Sequence, residues 1–508
     1  MTGNRSARDY SATQGSVYLI TSDGRTLQLP VPSESPNDPL NWSSYRLFLA
    51  LFSMSLFSII GLVQVQGTSL LLGALENEYT PEVRGQLLRL VSSVGALIWV
   101  PVSLAIGRRP VFLFCTVLLT LATLMAAFSQ SFNTHLAARC FQGLAGAVSP
   151  STMILMVIDV TYIHQRPLYI ALFWCFCNSI SNFFLAATPA MVNAGGSWRA
   201  FYWPFPIILA LFWCPETVFD RPPVAFDGHI LSQAETGKVT VYNDWEEVPG
   251  GRPEIEHPAS SNSTSSFVKD IIFWNRSSIG GWSAMREFPR QILICTLNPL
   301  ILWVLILNAF IFGGMIITCA SYAELLSAPP YNFSFQAIGL AKFATGIGAI
   351  LAFPASGLLT SQVIRILAAR NNGVREPEHY LPSFILPVIV STTSLALYGI
   401  ASERHWDWRW ILLFVGADYF SAICIFTSNT LWVTEAFPRW KGAALVIVGA
   451  GGYGLSFALS FGMVPWIESQ GLGGRIVLTL VVGLVGVPVN WWGKRFREYI
   501  YSVWERVE

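Results

Sequence analysis

Charge is scarce in this chain. Only 12% of its 508 residues are Asp, Glu, Lys or Arg and 53% are hydrophobic, against ~25% charged in an ordinary soluble domain. With a net charge of +1 and no basic run interleaved with aromatics, no nucleic-acid partner is expected. The eight cysteines form no CxxC pair with a matching Cys or His pair, which argues against a disulfide framework or a zinc site. The histidines (His135, His164, His229, His257, His379 and His405) are scattered, so neither a metal nor a nucleophilic centre is indicated. A GxxxxGK[ST] loop is missing, which argues against ATP-driven work. The expectation is a non-enzyme without a cofactor. The first forty residues hold no apolar core of a signal peptide, leaving the first membrane helix to direct insertion.

What the chain does have is a series of apolar segments, each near the ~20 residues that a membrane-spanning helix needs. They fall at about 45–66, 86–106, 110–129, 136–158, 168–192 and 199–213, and again at about 293–317, 335–359, 380–400, 409–431, 442–466 and 474–492. The expected fold is an all-α membrane protein of twelve transmembrane helices in two six-helix bundles. Its parts are a flexible tail (1–44), a first bundle (45–213), a mostly disordered linker (214–292), a second bundle (293–492) and a short tail (493–508). Arginines and lysines in short loops, among them Arg108, Arg109, Arg166, Arg365, Arg370, Arg375, Arg439 and Lys441, mark one side as cytoplasmic. Both tails and the linker lie on that side. The sixth segment, with Pro204 and Pro206, offers about fifteen residues, or ~22 Å of helix against a ~30 Å core. A kinked, tilted helix and residues lost through a gene-model error are both open readings. Of the acceptor patterns for N-glycosylation, only Asn332 falls outside on this topology.

GRRP (107–110), RCFQGLAG (139–146) and the six-plus-six plan resemble the major facilitator superfamily of secondary transporters. DPLNW (38–42), the Asp159, Tyr162, His164 and Arg166 element, SWR (197–199), the Pro215 to Arg221 exit, SAPPYNFS (327–334) and NNGVREPEH (371–379) are similar to its fungal drug:proton antiporter-like branch. The resemblance implies a membrane carrier, with a plasma-membrane location expected. It would move a drug, toxin or secondary metabolite outward by proton-coupled alternating access. An uptake carrier for a cationic metabolite such as a polyamine, and a receptor that binds without translocating, remain open. The expected partners are a small-molecule substrate, protons and the lipid bilayer, with the protein acting as a monomer. The chain departs from the family pattern where Val100, Leu104 and Ala105 replace the glycine, aspartate and arginine of the second loop, and where Thr188 stands before Pro189.

Several residues are candidates for function because a charge inside an apolar segment costs at least ~2.5 kcal/mol. Arg139 matches the family arginine implicated in proton coupling, and a permanently protonated guanidinium needs an acidic or anionic neighbour to act on. Snorkelling to the outer interface is the alternative. Gly143 and Gly146 share a helix face and would let a second backbone approach. Asp418 is the carboxylate nearest the midplane. Either it titrates with transport, or it forms a static pair with Lys342. Gly107, Arg108, Arg109, Asp159, His164 and Arg166 gather at the cytoplasmic end as a charge-paired gate, or as topogenic charges. Gln64, Gln66, Asn178, Asn182, Asn308, Asn429 and Lys342 are substrate-pathway candidates, the neutral ones equally readable as interhelical bonds. GAGGYG (449–454) has no preceding strand and reads as close packing or a hinge rather than a dinucleotide loop.

Overall fold

Inside lipid a backbone must satisfy its own N–H and C=O groups, so the apolar segments have helix as their only solitary solution. The computed structural model describes residues 17–18, 29–30, 32, 38–78, 87–205, 217, 224–226, 229–233, 239–242, 281–371 and 373–456. Eight helices among the described residues are long and apolar enough to cross a membrane.

The first group contains α1 (Ser44–Glu78), α2 (Leu87–Ile106), α3 (Arg108–Ala127), α4 (Phe132–Asp159) and α5 (Arg166–Ala186). The second contains α7 (Pro299–Ser327), α8 (Phe335–Arg370), α9 (Ile385–Glu403), α10 (Trp408–Ala436) and α11, which starts at Lys441. The sixth expected segment beyond residue 205, the eleventh beyond 456, the whole of the twelfth and the C-terminal tail lie outside the described residues. The end of the bundle that carries the GRR turn is called the arginine-rich end below.

Small residues set how closely the helices approach, since packing rather than water exclusion drives association in lipid. A Cβ on Gly348 of α8 would overlap the carbonyl oxygen of Gly416 in α10, and one on Gly416 would come to 2.8 Å from the Ala344 carbonyl. Gly339, Gly346 and Gly357 of α8 lie in turn against Pro189, Phe183 and Ala171, so α8 is seated along α5 and its extension. This seam joins the two groups. At Gly146 the backbone of α1 approaches, a Cβ on Gly61 coming to 3.9 Å from the Gly146 Cα, although a Cβ on Gly146 itself meets nothing within 4 Å; the tighter approach to α4 comes from Gly95 of α2 against Leu144 and Ala147. Sequence spacing marked the right helix, while the tightest fit on it is made by a glycine of its neighbour α2.

Prolines without an N–H leave wide turns inside two helices. Ser149–Met153, holding Pro150, bulges in α4, and Pro354–Leu359 does so in α8. A third wide turn, Ile447–Gly451, falls in the glycine-rich stretch of α11. Asn308 of α7 donates to the Val448 carbonyl at 3.0 Å there, and a Cβ on Gly452 would come to 2.5 Å from the Asn308 Nδ2. The GAGGYG stretch is thus close packing.

Two regions differ from the sequence expectation. The linker is not without structure: β2 (Val224–Phe226), β3 (His229–Gln233) and β4 (Val239–Tyr242) form an antiparallel meander. Phe226 faces His229 across Asp227 and Gly228, and Asp-Gly between short alternating runs is a hairpin signal that mixed charge had obscured. Before α7, α6 (Gly281–Leu297) is already helical and packs on α2 and α11. Its inward residues Phe288 and Cys295, seven apart, are buried. The N-terminal tail is also attached. β1 (Val17–Tyr18) pairs antiparallel with β5 (Val374–Arg375) between α8 and α9, while the Leu29 carbonyl accepts from the Ile163 N–H at 2.7 Å between α4 and α5. One tail therefore touches both groups at the arginine-rich end. Deleting residues 1–31 is expected to speed hydrogen exchange at residues 160–166 and 373–380 and to leave the opposite ends of the helices unchanged; equal exchange in both regions would contradict it.

Candidate functional site

At the arginine-rich end, Gly107 takes φ 98°, a left-handed backbone that favours glycine, and this turn starts α3 at Arg108. Arg108 pairs with Asp159 at the end of α4. Arg109 follows it on α3. Arg166 does not join that pair. It opens α5, which packs against α10, so its guanidinium reaches across the groups to Glu435 at 2.6 Å. The other Glu435 oxygen accepts from Arg375 at 2.5 Å, and Arg375 also donates to the Tyr380 hydroxyl at 2.7 Å. Both Glu435 and Arg375 are buried. A carboxylate with each oxygen taken by a different arginine is a strong, geometrically defined clasp. His164 stands apart from these ion pairs, its ring stacked on Tyr162 with centroids 5.8 Å apart. Burial, and then the positive charge of Arg365, hold its pKa below the ordinary histidine value. Neutral His164 is therefore the form favoured here, fully so above the ordinary value. As pH falls past that value towards the lowered one, proton uptake works against this arrangement.

Toward the middle, α5 presents Trp174, Asn178 and Asn182 four residues apart on one face. That face meets the second group. Trp174 packs on Phe426 of α10, with ring centroids 5.4 Å apart. The Tyr419 hydroxyl donates to Asn178 Oδ1 at 2.9 Å and accepts from Asn182 Nδ2 at 2.9 Å, and Gln66 Nε2 lies 3.3 Å from it. Thr345 of α8 donates to Asn182 Oδ1 at 2.9 Å. Gln66, Asn178 and Asn182 thus join one polar network between the groups, each through an interhelical hydrogen bond.

The other candidates lie elsewhere. Gln64 points into the first group and donates to Thr123 at 2.8 Å. Asn429 donates to Asn308 Oδ1 at 3.0 Å within the second group, so this pair is an interhelical bond. Arg139 is buried rather than snorkelling. It donates to Gln142 at 2.7 Å, to the Gln64 carbonyl at 2.6 Å and to the Tyr202 hydroxyl at 3.3 Å. Among the described residues no carboxylate ion-pairs with it, so here it ties α1, α4 and the Trp198–Tyr202 turn together through neutral acceptors. Asp418 and Lys342 do not form the static pair. Asp418 is fully buried and accepts from Thr318 and Ser391, each at 3.1 Å, while Lys342 is directed to the ring of Tyr322, 5.6 Å from its centroid. Asp418 faces α7 and α9, about 100° around α10 from its neighbour Tyr419, which enters the network. Among the described residues, no group of three or more His, Cys, Asp or Glu side chains is arranged to hold a metal.

A family model described as the Major Facilitator Superfamily matches residues 85–461. The chain belongs to that superfamily. It is a multi-pass membrane protein of a transporter family, not an enzyme, and its all-α fold is the two-bundle fold of that family. An uncharacterised MFS-type transporter of Schizosaccharomyces pombe is 23% identical, with 96% of this chain and 91% of the relative covered. Protein HOL1 of Saccharomyces cerevisiae is 22% identical over 94% of this chain and 91% of its own length. Efflux pump radE of Floropilus chiversii is 22% identical over 80% and 72%. Among solved structures, the proton:xylose symporter XylE has a TM-score of 0.57 at 14% identity, over 90% of this chain and 97% of that one. The human organic anion transporter MFSD10 has 0.51 at 15%, over 86% and 99%. At these identities the structures bear on the fold alone.

The superfamily's repeated halves show what the sequence reading missed. Asp159 ends α4 and pairs with Arg108 of the turn between α2 and α3; Glu435 ends α10 and pairs with Arg375 of the turn between α8 and α9. The two pairs occupy corresponding places in the two halves. Glu435 and Arg375 were legible only by laying one half on the other, because VTEAF (433–437) shares no motif with VIDVTY (157–162). Tyr419 and Thr345 carried no signal at all, being ordinary residues of apolar helices.

Proposed function

We propose that this protein is a secondary active transporter that moves a small organic compound by alternating access, coupled to protons and directed outward across the plasma membrane. The observation that carries it is that the polar contacts between the halves fall at two levels, over the packing of the α5–α8 seam. Arg166–Glu435 closes the arginine-rich end, read as cytoplasmic from the placement of arginine and lysine in short loops, and the Tyr419 network with Gln66, Asn178, Asn182 and Thr345 closes the halves further along. Rigid halves that rock about a central site need contacts at two levels that break in turn, and both are made in this state. Efflux pump radE is among the relatives, and this supports the outward direction.

Asp418 is the candidate proton carrier. Thr318 and Ser391 hydroxyls can rotate to donate to its carboxylate or to accept from its acid form, so both charge states keep their partners. Arg139 is a coupling candidate only through a charge that arrives during the cycle, since its present partners are neutral. Reconstituted protein with an imposed pH gradient is expected to show gradient-driven flux, and Asp418→Asn is expected to keep residual exchange while losing its dependence on pH. Wild-type flux indifferent to the gradient would remove proton coupling. Absence of any exchange would favour a receptor that binds without translocating.

A further inference from the structure

Among the described residues, one buried cation on the face of α8 that meets the first half has no carboxylate partner. Lys342 is 2% exposed. On α8 it shares the face of Gly339, Thr345 and Gly346, which lie three or four residues away and contact Pro189, Asn182 and Phe183 of the first half. Its ammonium lies 5.6 Å from the Tyr322 ring centroid, and among the described residues no carboxylate ion-pairs with it. The buried carboxylate of the same half, Asp418, spends its oxygens on Thr318 and Ser391. An ammonium withdrawn from water without an anion is costly, and an intramembrane charge of this kind marks a ligand pathway. A cation–π contact offsets only part of that cost.

A second observation agrees in sign. Trp174, on the face of α5 that meets α10, is buried, and its indole N–H has no hydrogen-bond partner. An indole can only donate. The indole on one half therefore calls for an acceptor, and the ammonium on the other, beside Tyr322, has no carboxylate partner among the described residues. Around Trp174 the walls are aromatic: Phe426 lies 5.4 Å from it, Phe312 5.5 Å from Phe426, and Tyr453 4.8 Å from Phe312, all between ring centroids.

Building on the transport reading above, we propose that the substrate is an organic anion, a carboxylate on an apolar or aromatic body. Lys342 neutralises the carboxylate when the halves part beside Asn182 and Thr345, and the aromatic walls at Trp174, eight residues or ~12 Å along α5 from Asn182, take the far end of an extended body. A cationic substrate would meet repulsion from Lys342 at that place. The site names a chemical class, not one compound.

The test uses the purified full chain and reads the thermal unfolding midpoint against benzoate and indole-3-acetate, with benzamide and benzylamine as matched neutral and cationic probes. The two acids are expected to raise the midpoint of wild type and Lys342→Arg, and to lose roughly a hundredfold in apparent affinity in Lys342→Gln, as for a buried charge left unpaired. The amide and the amine are expected to have no effect. Stabilisation by acids that is unchanged in Lys342→Gln, stabilisation by benzylamine, or no stabilisation of wild type by either acid overturns the proposal. Lys342→Arg keeps the charge, so its response separates a lost anion site from a misfolded variant. Exchange of labelled benzoate in proteoliposomes is measured in parallel. Acids that bind through Lys342 yet never cross would sink transport and leave the anion site standing. Proton-driven flux with no acid effect would do the reverse.

Discussion

Replacing Glu435 with glutamine is expected to unlock the arginine-rich end of the transporter. Glu435 is buried and holds Arg166 of the first half and Arg375 of the second on separate oxygens, at 2.6 and 2.5 Å. Removing its charge leaves two guanidinium groups facing each other with no anion between them. Breaking a buried ion pair from one side costs ~3–5 kcal/mol, because the partner's desolvation is no longer compensated. If that cost falls on the state in which this end is closed, the closed population drops by roughly a hundredfold or more. Gradient-driven flux should then fall to a small fraction of wild type, while a cysteine placed at Thr434 becomes reactive toward a membrane-impermeant maleimide from the arginine-rich side. Flux and labelling both at wild-type levels would show that the clasp does not gate. The double variant Arg166→Gln with Glu435→Gln leaves one fewer orphan charge and is expected to recover part of the closure, though not the full clasp.

The second large effect is expected at Gly348. A Cβ there overlaps the carbonyl oxygen of Gly416, a backbone atom that no rotamer change can move away. α8 and α10 must separate, and both are seated elsewhere: α8 against α5 through Gly346 and Gly357, and α10 through Tyr419 on Asn178 and Asn182. Overpacking of this kind costs ~1–3 kcal/mol for an added methyl, and more where backbone must shift. Gly348→Ala should lower the thermal midpoint of the purified protein and Gly348→Leu should abolish its accumulation. Gly146→Ala, where a Cβ meets nothing within 4 Å, is the matched control and should leave the midpoint unchanged. If the two alanine variants melt alike, the close crossing of α8 and α10 is not what seats these helices.

Much of the architecture was legible because membrane insertion is read from a property that a sequence carries locally, the length of an apolar run. α1, α3, α5, α7 and α10 cover runs that hydropathy places. The linker's meander was missed for the opposite reason. Its strands are three to five residues long in a stretch of mixed charge, and the hairpin signal at Asp227 and Gly228 was outweighed by composition. The charge cluster at the arginine-rich end was half legible. Arg108 and Asp159 pair as the GRR turn and the end of α4 suggested. Arg166 was placed in the cluster but its partner Glu435 was not foreseen, because a motif places residues along one segment and says nothing about which helix of the other half lies opposite.

By itself the sequence determined that this chain lives in a membrane, that it crosses repeatedly as helices, that its arginines gather at one end, and that a few charges are costly enough to ask for a purpose. Those follow from solvation, which each residue meets on its own account. Only the tertiary structure decided which costs are met inside the protein. It put Arg139 among neutral acceptors, turned Asp418 away from Lys342 toward two hydroxyls, gave Glu435 two arginines from different halves, and left Lys342 with an aromatic ring in place of an anion. Pairing depends on which helices touch and which faces they turn to one another. That is settled by glycines at crossings and by the packing of whole halves, which no stretch of the chain encodes alone.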